Sequence, residues 1–130
     1  ALRKSNLAKR LTPSKYVKQQ LMGNLPERSN GESAFTFFTE HIHENALYLL
    51  DEPENSLSAR WQSKLAEFIK LSAYSCNCQF IIATHSPFLL AIEGAKIYNL
   101  DDDYVTLTEW HELESTKLYF ELFSRLAGKL

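Results

Sequence analysis

The chain has 130 residues, 45% of them apolar, and a formal net charge of −2. That length suits one ordinary domain able to bury roughly two thirds of the surface its unfolded chain exposes, so it can fold a real core. There is no run of eighteen apolar residues and no opening signal peptide, which argues against membrane insertion and secretion and for a cytoplasmic protein.

The charge is uneven. Arg3, Lys4, Lys9, Arg10, Lys15, Lys18 and Arg28 face only Glu27 in the first stretch, while the remainder is acidic. A basic arm for nucleic acid would look like this, but a solvated helix face is the commoner origin of such a run. Because the chain opens on Ala1 rather than Met and stops at Leu130 without a tail, it reads as a segment cut from something longer.

In chain order, "TPSKYVKQQLMGNL" predicts a helix, with Thr12 as cap, Pro13 at the first helical position and Gly23 as stop. A second helix is predicted in "SNGESAFTFFTEHIHENA", since Ala34, Phe35, Phe38 and Ile42 share one face at 3.6 spacing, with a turn at Glu44 and Asn45. "LYLL" reads as a strand buried on both faces because nothing alternates. Ser56 is the expected cap of a long helix with Leu57, Trp61, Leu65, Phe68, Ile69 and Ser72 inward. "QFIIAT" is a second buried strand, closed by His85, Ser86 and Pro87 and followed by a short helix from Phe88 to Ile92. A strand at "AKIYNL", an acidic turn at Asp101 to Asp103, an edge strand at "YVTLTEW" and a final helix in "ELESTKLYFELFSRLAG" complete the chain. Buried strands alternating with helices imply an α/β fold, a mainly parallel sheet with flanking helices and an antiparallel edge.

Cys76 and Cys78 are spaced Cys-x-Cys with no second pair, so reduced thiols near a helix end are expected. His41 and His43, one residue apart, lie on different helix faces and read as surface histidines rather than metal ligands.

Asp51 and Glu52 end one strand and His85 ends the other. Ligands of a parallel α/β sheet bind outside the carboxyl ends of its strands. A carboxylate pair after a buried strand is costly unless something binds it, and Pro53, Glu54 and Asn55 delay the next helix too long for simple capping. The pattern suits phosphoryl transfer, with Asp51 orienting magnesium through water and Glu52 polarising an attacking water.

"LYLLDEPENSLS" resembles the Walker B strand and D-loop of ATP-binding-cassette P-loop ATPases, and "IIATHSP" resembles their H-loop. Ser29, Asn30, Gly31 and Glu32 stand where the cassette signature carries Ser-Gly-Gly-Gln. The resemblance runs from Ser29 to about Leu100 and is closest to the soluble branch related to the SMC and RecF class, in particular to small bacterial AAA family ATPases. It implies a partial P-loop NTPase fold with a helical lead-in over 1–28, a core with signature, Walker B, D-loop and H-loop over 29–110, and a C-terminal helix over 111–130. It further implies ATP and Mg2+ as cofactors, Asp51 on the metal, Glu52 and His85 as catalytic residues, and Ser29, Asn30, Gly31, Glu32 and Ser56 toward nucleotide. The implied partner is a second ATPase domain packed head to tail. Read from the residues alone, Ser29 and Glu32 also form a Ser-x-x-Glu capping box.

The phosphate-binding motif G-x-x-x-x-G-K-[ST] is absent from the 130 residues. The expectation is therefore the C-terminal half of an ATPase domain, completed by an N-terminal Walker A half, in preference to a degenerate relative that kept the hydrolytic half only. One rival is a non-catalytic interaction or DNA-binding module derived from the same fold. A second is a metal-dependent nuclease or phosphatase using Asp51, Glu52 and the acidic turn.

Overall fold

The computed structural model describes residues 30–130. The helix expected at "TPSKYVKQQLMGNL", the basic residues of the first stretch and Ser29 lie outside the described residues. The chain divides into two compact units, one ending at Ile92 and one spanning Glu93–Leu130.

In the first unit, helix α1 (Asn30–His41) carries Glu32 in its first turn and His41 in its last, each complementing the helix dipole. Phe35 and Thr39 on this helix and Ile42 just after it are buried, and Asn45 turns the chain with φ 56°. Strand β1 (Leu47–Asp51) leads into helix α2 (Ala59–Ser75), and strand β2 (Gln79–Ala83) returns parallel to β1, with Leu47 opposite Gln79 and Asp51 opposite Ala83. The inward face of α2 is Trp61, Leu65, Phe68, Ile69 and Ser72, as the 3.6-residue pattern requires. Its aromatics meet α1: the Phe35 ring lies 5.2 Å from Trp61 and 6.0 Å, edge-on, from Phe68. A short helix, α3 (Pro87–Leu90), closes the unit.

Two local expectations are corrected. The residue at the start of α2 is Ser58, in extended backbone, whereas Ser56 lies before it with φ 70° in the left-handed region, where it turns the chain instead of capping. The strands are covered on one face only among the described residues. Tyr48, Leu50, Phe80 and Ile82 pack against the core, but Leu47, Leu49 and Ile81 are exposed. An uninterrupted apolar run states that both faces tolerate burial, and here α1 and α2 supply a single layer of cover.

Gly31 has a packing role in this unit. A methyl group placed on it would stand 2.4 Å from Cδ1 and 2.9 Å from Nε1 of the buried Trp61 indole. The first turn of α1 therefore presses its backbone onto α2, and only glycine permits that approach.

In the second unit, strands β3 (Ile97–Asn99) and β4 (Thr106–Thr108) pair antiparallel in a sheet of their own, not as the edge of the parallel sheet that was expected. Asp102 holds the hairpin turn, accepting from Asn99 Nδ2 at 3.0 Å, while Asn99 Oδ1 accepts from the amide of Asp101. A short 3-10 turn (Trp110–Glu112), closed by reciprocal bonds between Glu109 and Glu112, leads into helix α4 (Glu114–Leu126). Among the described residues, no helix is long and apolar enough to cross a membrane.

The contact at Gly31 makes a direct test. Gly31→Ala must push the Trp61 ring or the first turn of α1 aside, and overpacking of this kind costs about 1–3 kcal/mol. The expected result is that loss in chemical denaturation; an unchanged midpoint would show that the close approach is not a constraint.

Candidate active site

The parallel register of β1 and β2 brings Asp51 level with Ala83, and the ladder runs one bond further, with the Glu52 amide donating to the Ala83 carbonyl at 2.8 Å. There the strand stops. Glu52 takes φ 44°, a left-handed conformation that costs a non-glycine residue roughly 1–2 kcal/mol. It opens a turn in which the Asn55 amide donates to the Glu52 carbonyl and the Leu57 amide to the Glu54 carbonyl. Strain of that kind points toward function. Asp51, still in the strand, and Glu52, at the start of the turn, are both exposed, so the desolvation cost expected from the apolar approach is not incurred.

Glu52 and His85 meet. His85 Nε2 lies 3.8 Å from Glu52 Oε1, a distance for an ion pair when the ring is protonated but too long for a hydrogen bond. The His85 side chain is 85% exposed and that of Glu52 46%, so a carboxylate and an imidazole stand side by side facing solvent. The other Glu52 oxygen, Oε2, accepts from Asn55 Nδ2 at 2.9 Å, which fixes the carboxylate within its own turn. An acceptor-only group thus faces a ring that can donate or accept, beyond the carboxyl ends of two parallel strands. Such a pair can take a proton from water and donate a hydrogen bond to an anion.

The backbone of His85 is held by a residue to which the sequence reading assigned no task. Glu54 Oε1 accepts the His85 amide at 2.8 Å, bridging 31 positions in sequence. Burial alone would push the Glu54 carboxyl up. Hydrogen bonds from the backbone of His85, from its own backbone, from the Thr84 side chain and from the backbone of Ser86 outweigh that and hold it below its ordinary value. Thr84 Oγ1 in turn accepts the Ser86 amide at 3.0 Å. Ser86, buried, caps α3 by accepting from the Leu89 amide and donates its hydroxyl proton to Gln62 Oε1 at 2.8 Å; Gln62 Nε2 donates to the Leu57 carbonyl. The loop after β2 is therefore tied to the turn after β1 and to α2. The available signal was general: amides leaving a strand end need acceptors, and an acid in the facing turn is a strong one.

The remaining candidates stand differently. Asn30 opens α1, Gly31 packs on Trp61 and Glu32 is half-buried in the first helical turn. Ser56 is exposed in the turn beyond Glu54. His41 and His43 are exposed, with His41 stacked on Phe37. Cys76 and Cys78 are buried and form no disulfide, and the Cys78 thiol donates to the His43 carbonyl at 2.9 Å. Among the described residues, no group of three or more His, Cys, Asp or Glu is arranged to hold a metal ion. A lone exposed carboxylate such as Asp51 suits magnesium, which keeps several waters and takes its other oxygens from phosphate. The acidic turn is accounted for by the hairpin, which weakens the nuclease or phosphatase alternative. A shallow concavity lined by Asn45, Ala46, Leu47, Asn77, Cys78 and Gln79 lies at the amino ends of the strands, opposite the acids.

Residues 22–91 match the family model described as "AAA domain, putative AbiEii toxin, Type IV TA system". The matched segment contains every motif from Ser29 to Pro87. The chain is also similar to a solved structure from "Structural biochemistry of ATP-driven dimerization and DNA stimulated activation of SMC ATPases", with TM-score 0.48 and 19% identity over 77% of this chain. The chain spans 62% of that structure's length. No curated protein matches it.

The tie at Glu54 has a definite pH dependence. Its hydrogen bonds favour the ionised carboxylate, so their contribution is complete at neutral pH and is lost as the pH falls from the ordinary 4.5 through the lower value in the folded chain. The amide proton shift of His85, followed by NMR, is expected to titrate with a midpoint below 4.5 and to lose that inflection in Glu54→Gln. A midpoint above the ordinary value would show that burial outweighs the hydrogen bonds.

Proposed function

The chain belongs to this AAA-domain family of P-loop ATPases, and from that premise we propose that it forms the hydrolytic part of an ATP-binding-cassette-type ATPase site. The observation that carries the reading is the pairing of Glu52 with His85 beyond the carboxyl ends of adjacent parallel strands, both side chains open to solvent.

In this reading Glu52 is the general base that takes the proton of the attacking water, a role that contributes about 10²–10⁴-fold in rate. The His85 imidazole donates a hydrogen bond to the γ-phosphate, favouring charge on the oxygens as the terminal bond breaks. Asn55 keeps the base oriented through its contact with Oε2. Asp51 would hold Mg2+, which when bound would neutralise phosphate charge.

No G-x-x-x-x-G-K-[ST] lies within the 130 residues, so the phosphate cradle comes from residues outside them. Ser29 to Glu32, as a cassette signature, would serve the nucleotide of a second ATPase domain packed head to tail, with Ser56 in the turn between the two. Gly31 then has two duties, since the backbone freedom that admits a phosphate also admits the Trp61 ring.

The two strand-end acids are separable by experiment in the full-length protein. Glu52→Gln should keep magnesium and nucleotide affinity and slow single-turnover hydrolysis by about 10²-fold or more. Asp51→Asn should weaken magnesium-dependent ATP binding itself. Equal loss of ATP affinity in both variants would contradict the assignment, and full hydrolysis in Glu52→Gln would remove the base.

A further inference from the structure

Glu54 is the one acid of the "DEPE" stretch that the proposed chemistry leaves without a task, yet it makes the long-range contact at the site. Its Oε1 holds the His85 amide at 2.8 Å, and the next amide, that of Ser86, is taken by Thr84 Oγ1 at 3.0 Å, so the backbone on both sides of the imidazole is fixed. The imidazole itself is 85% exposed and makes no closer approach to Glu52 than 3.8 Å. No side-chain packing therefore aims the ring; only its backbone is fixed. The carboxylate that holds the His85 backbone and the carboxylate that the His85 ring faces belong to one turn, in which Glu52, Pro53 and Glu54 are consecutive.

We propose that Glu54 is a positioning residue for hydrolysis, which by gripping the His85 amide keeps the imidazole at a set distance from Glu52. The proposal rests on the reading of Glu52 and His85 as a hydrolytic pair. The turn after β1 and the loop after β2 are then one rigid piece, so the base and the phosphate contact move together. The grip acts through His85 and predicts no contact between Glu54 and the nucleotide.

The geometry makes the role separable from general stability. A misplacement of about 1 Å at a reacting group costs on the order of 10²-fold in rate, with little effect on binding made elsewhere. In the full-length protein, Glu54→Ala should therefore lower kcat for ATP about 10- to 100-fold and leave KM within about twofold. Glu54→Asp keeps the charge but withdraws it by one methylene from the His85 amide; it should show the same split, and it serves as the second variant if the alanine protein fails to fold.

The deciding measurement is a double-mutant cycle with His85→Ala. Once the imidazole is gone there is nothing left to aim, so adding Glu54→Ala or Glu54→Asp should cost little more than His85→Ala alone. Multiplying losses would overturn the positioning role and leave Glu54 as a structural or independent contributor. Unchanged kcat in His85→Ala itself would instead bring down the reading of the site on which the proposal rests, so the two failures are distinct.

Discussion

The hydrogen bond from the His85 amide to the Glu54 carboxylate is the interaction on which the geometry of the candidate site depends. Two parallel strands end side by side, and each chain leaves its ladder with polar backbone groups that need partners. For β1 the need is met by one extra rung, from the Glu52 amide to Ala83. For β2 it is met from across the gap by a charged acceptor, stronger than a neutral one. That acceptor arrives only because Glu52 adopts a left-handed conformation that turns the chain back over the end of β2. The backbone cost at Glu52 and the bonds at Glu54 are two ends of one arrangement.

Three carboxylates within four residues would repel one another if all were alike, and their environments divide them. Glu54 is committed to amides, which stabilise its charge in place. Asp51 and Glu52 stay exposed, so their charge remains hydrated and available to a cation or a proton. Behind them, Gln62 links the buried Ser86 to the Leu57 carbonyl, so α2 braces both loops. The core of α1 and α2 does no chemistry but holds this frame; the rings of Phe35, Trp61 and Phe68 lock the two helices under one face of the strands.

What was legible in the sequence follows from the range of the forces concerned. The inward face of α2 could be read from Trp61 to Ser72 because helical periodicity is local. The boundaries could not: Ser56 and Ser58 are equally good caps in sequence, and only the left-handed turn at Ser56 decides between them. "LYLL" and "FII" announce tolerance of burial but not which face is covered, and the three-residue strands of the second unit look like a sheet edge until their pairing is known. The strand-end acids and His85 stood out through family resemblance, and the approach of Glu52 to His85 at 3.8 Å follows from the parallel register. Glu54 was passed over because an acid in a turn resembles any solvated acid, and its partner lies 31 residues away. Gly31 suggested a phosphate contact, whereas the indole of Trp61 gives it a packing reason that no motif encodes.

The most direct test is a structure of the full-length protein with magnesium, ADP and aluminium fluoride, which imitates the phosphoryl group in flight. The expected result places a Glu52 oxygen within about 3 Å of the axial water and the His85 ring nitrogen at hydrogen-bond distance from a fluoride. A complex in which the fluoride is bound but neither side chain touches it or its water would contradict the assignment of this strand end as the hydrolytic site.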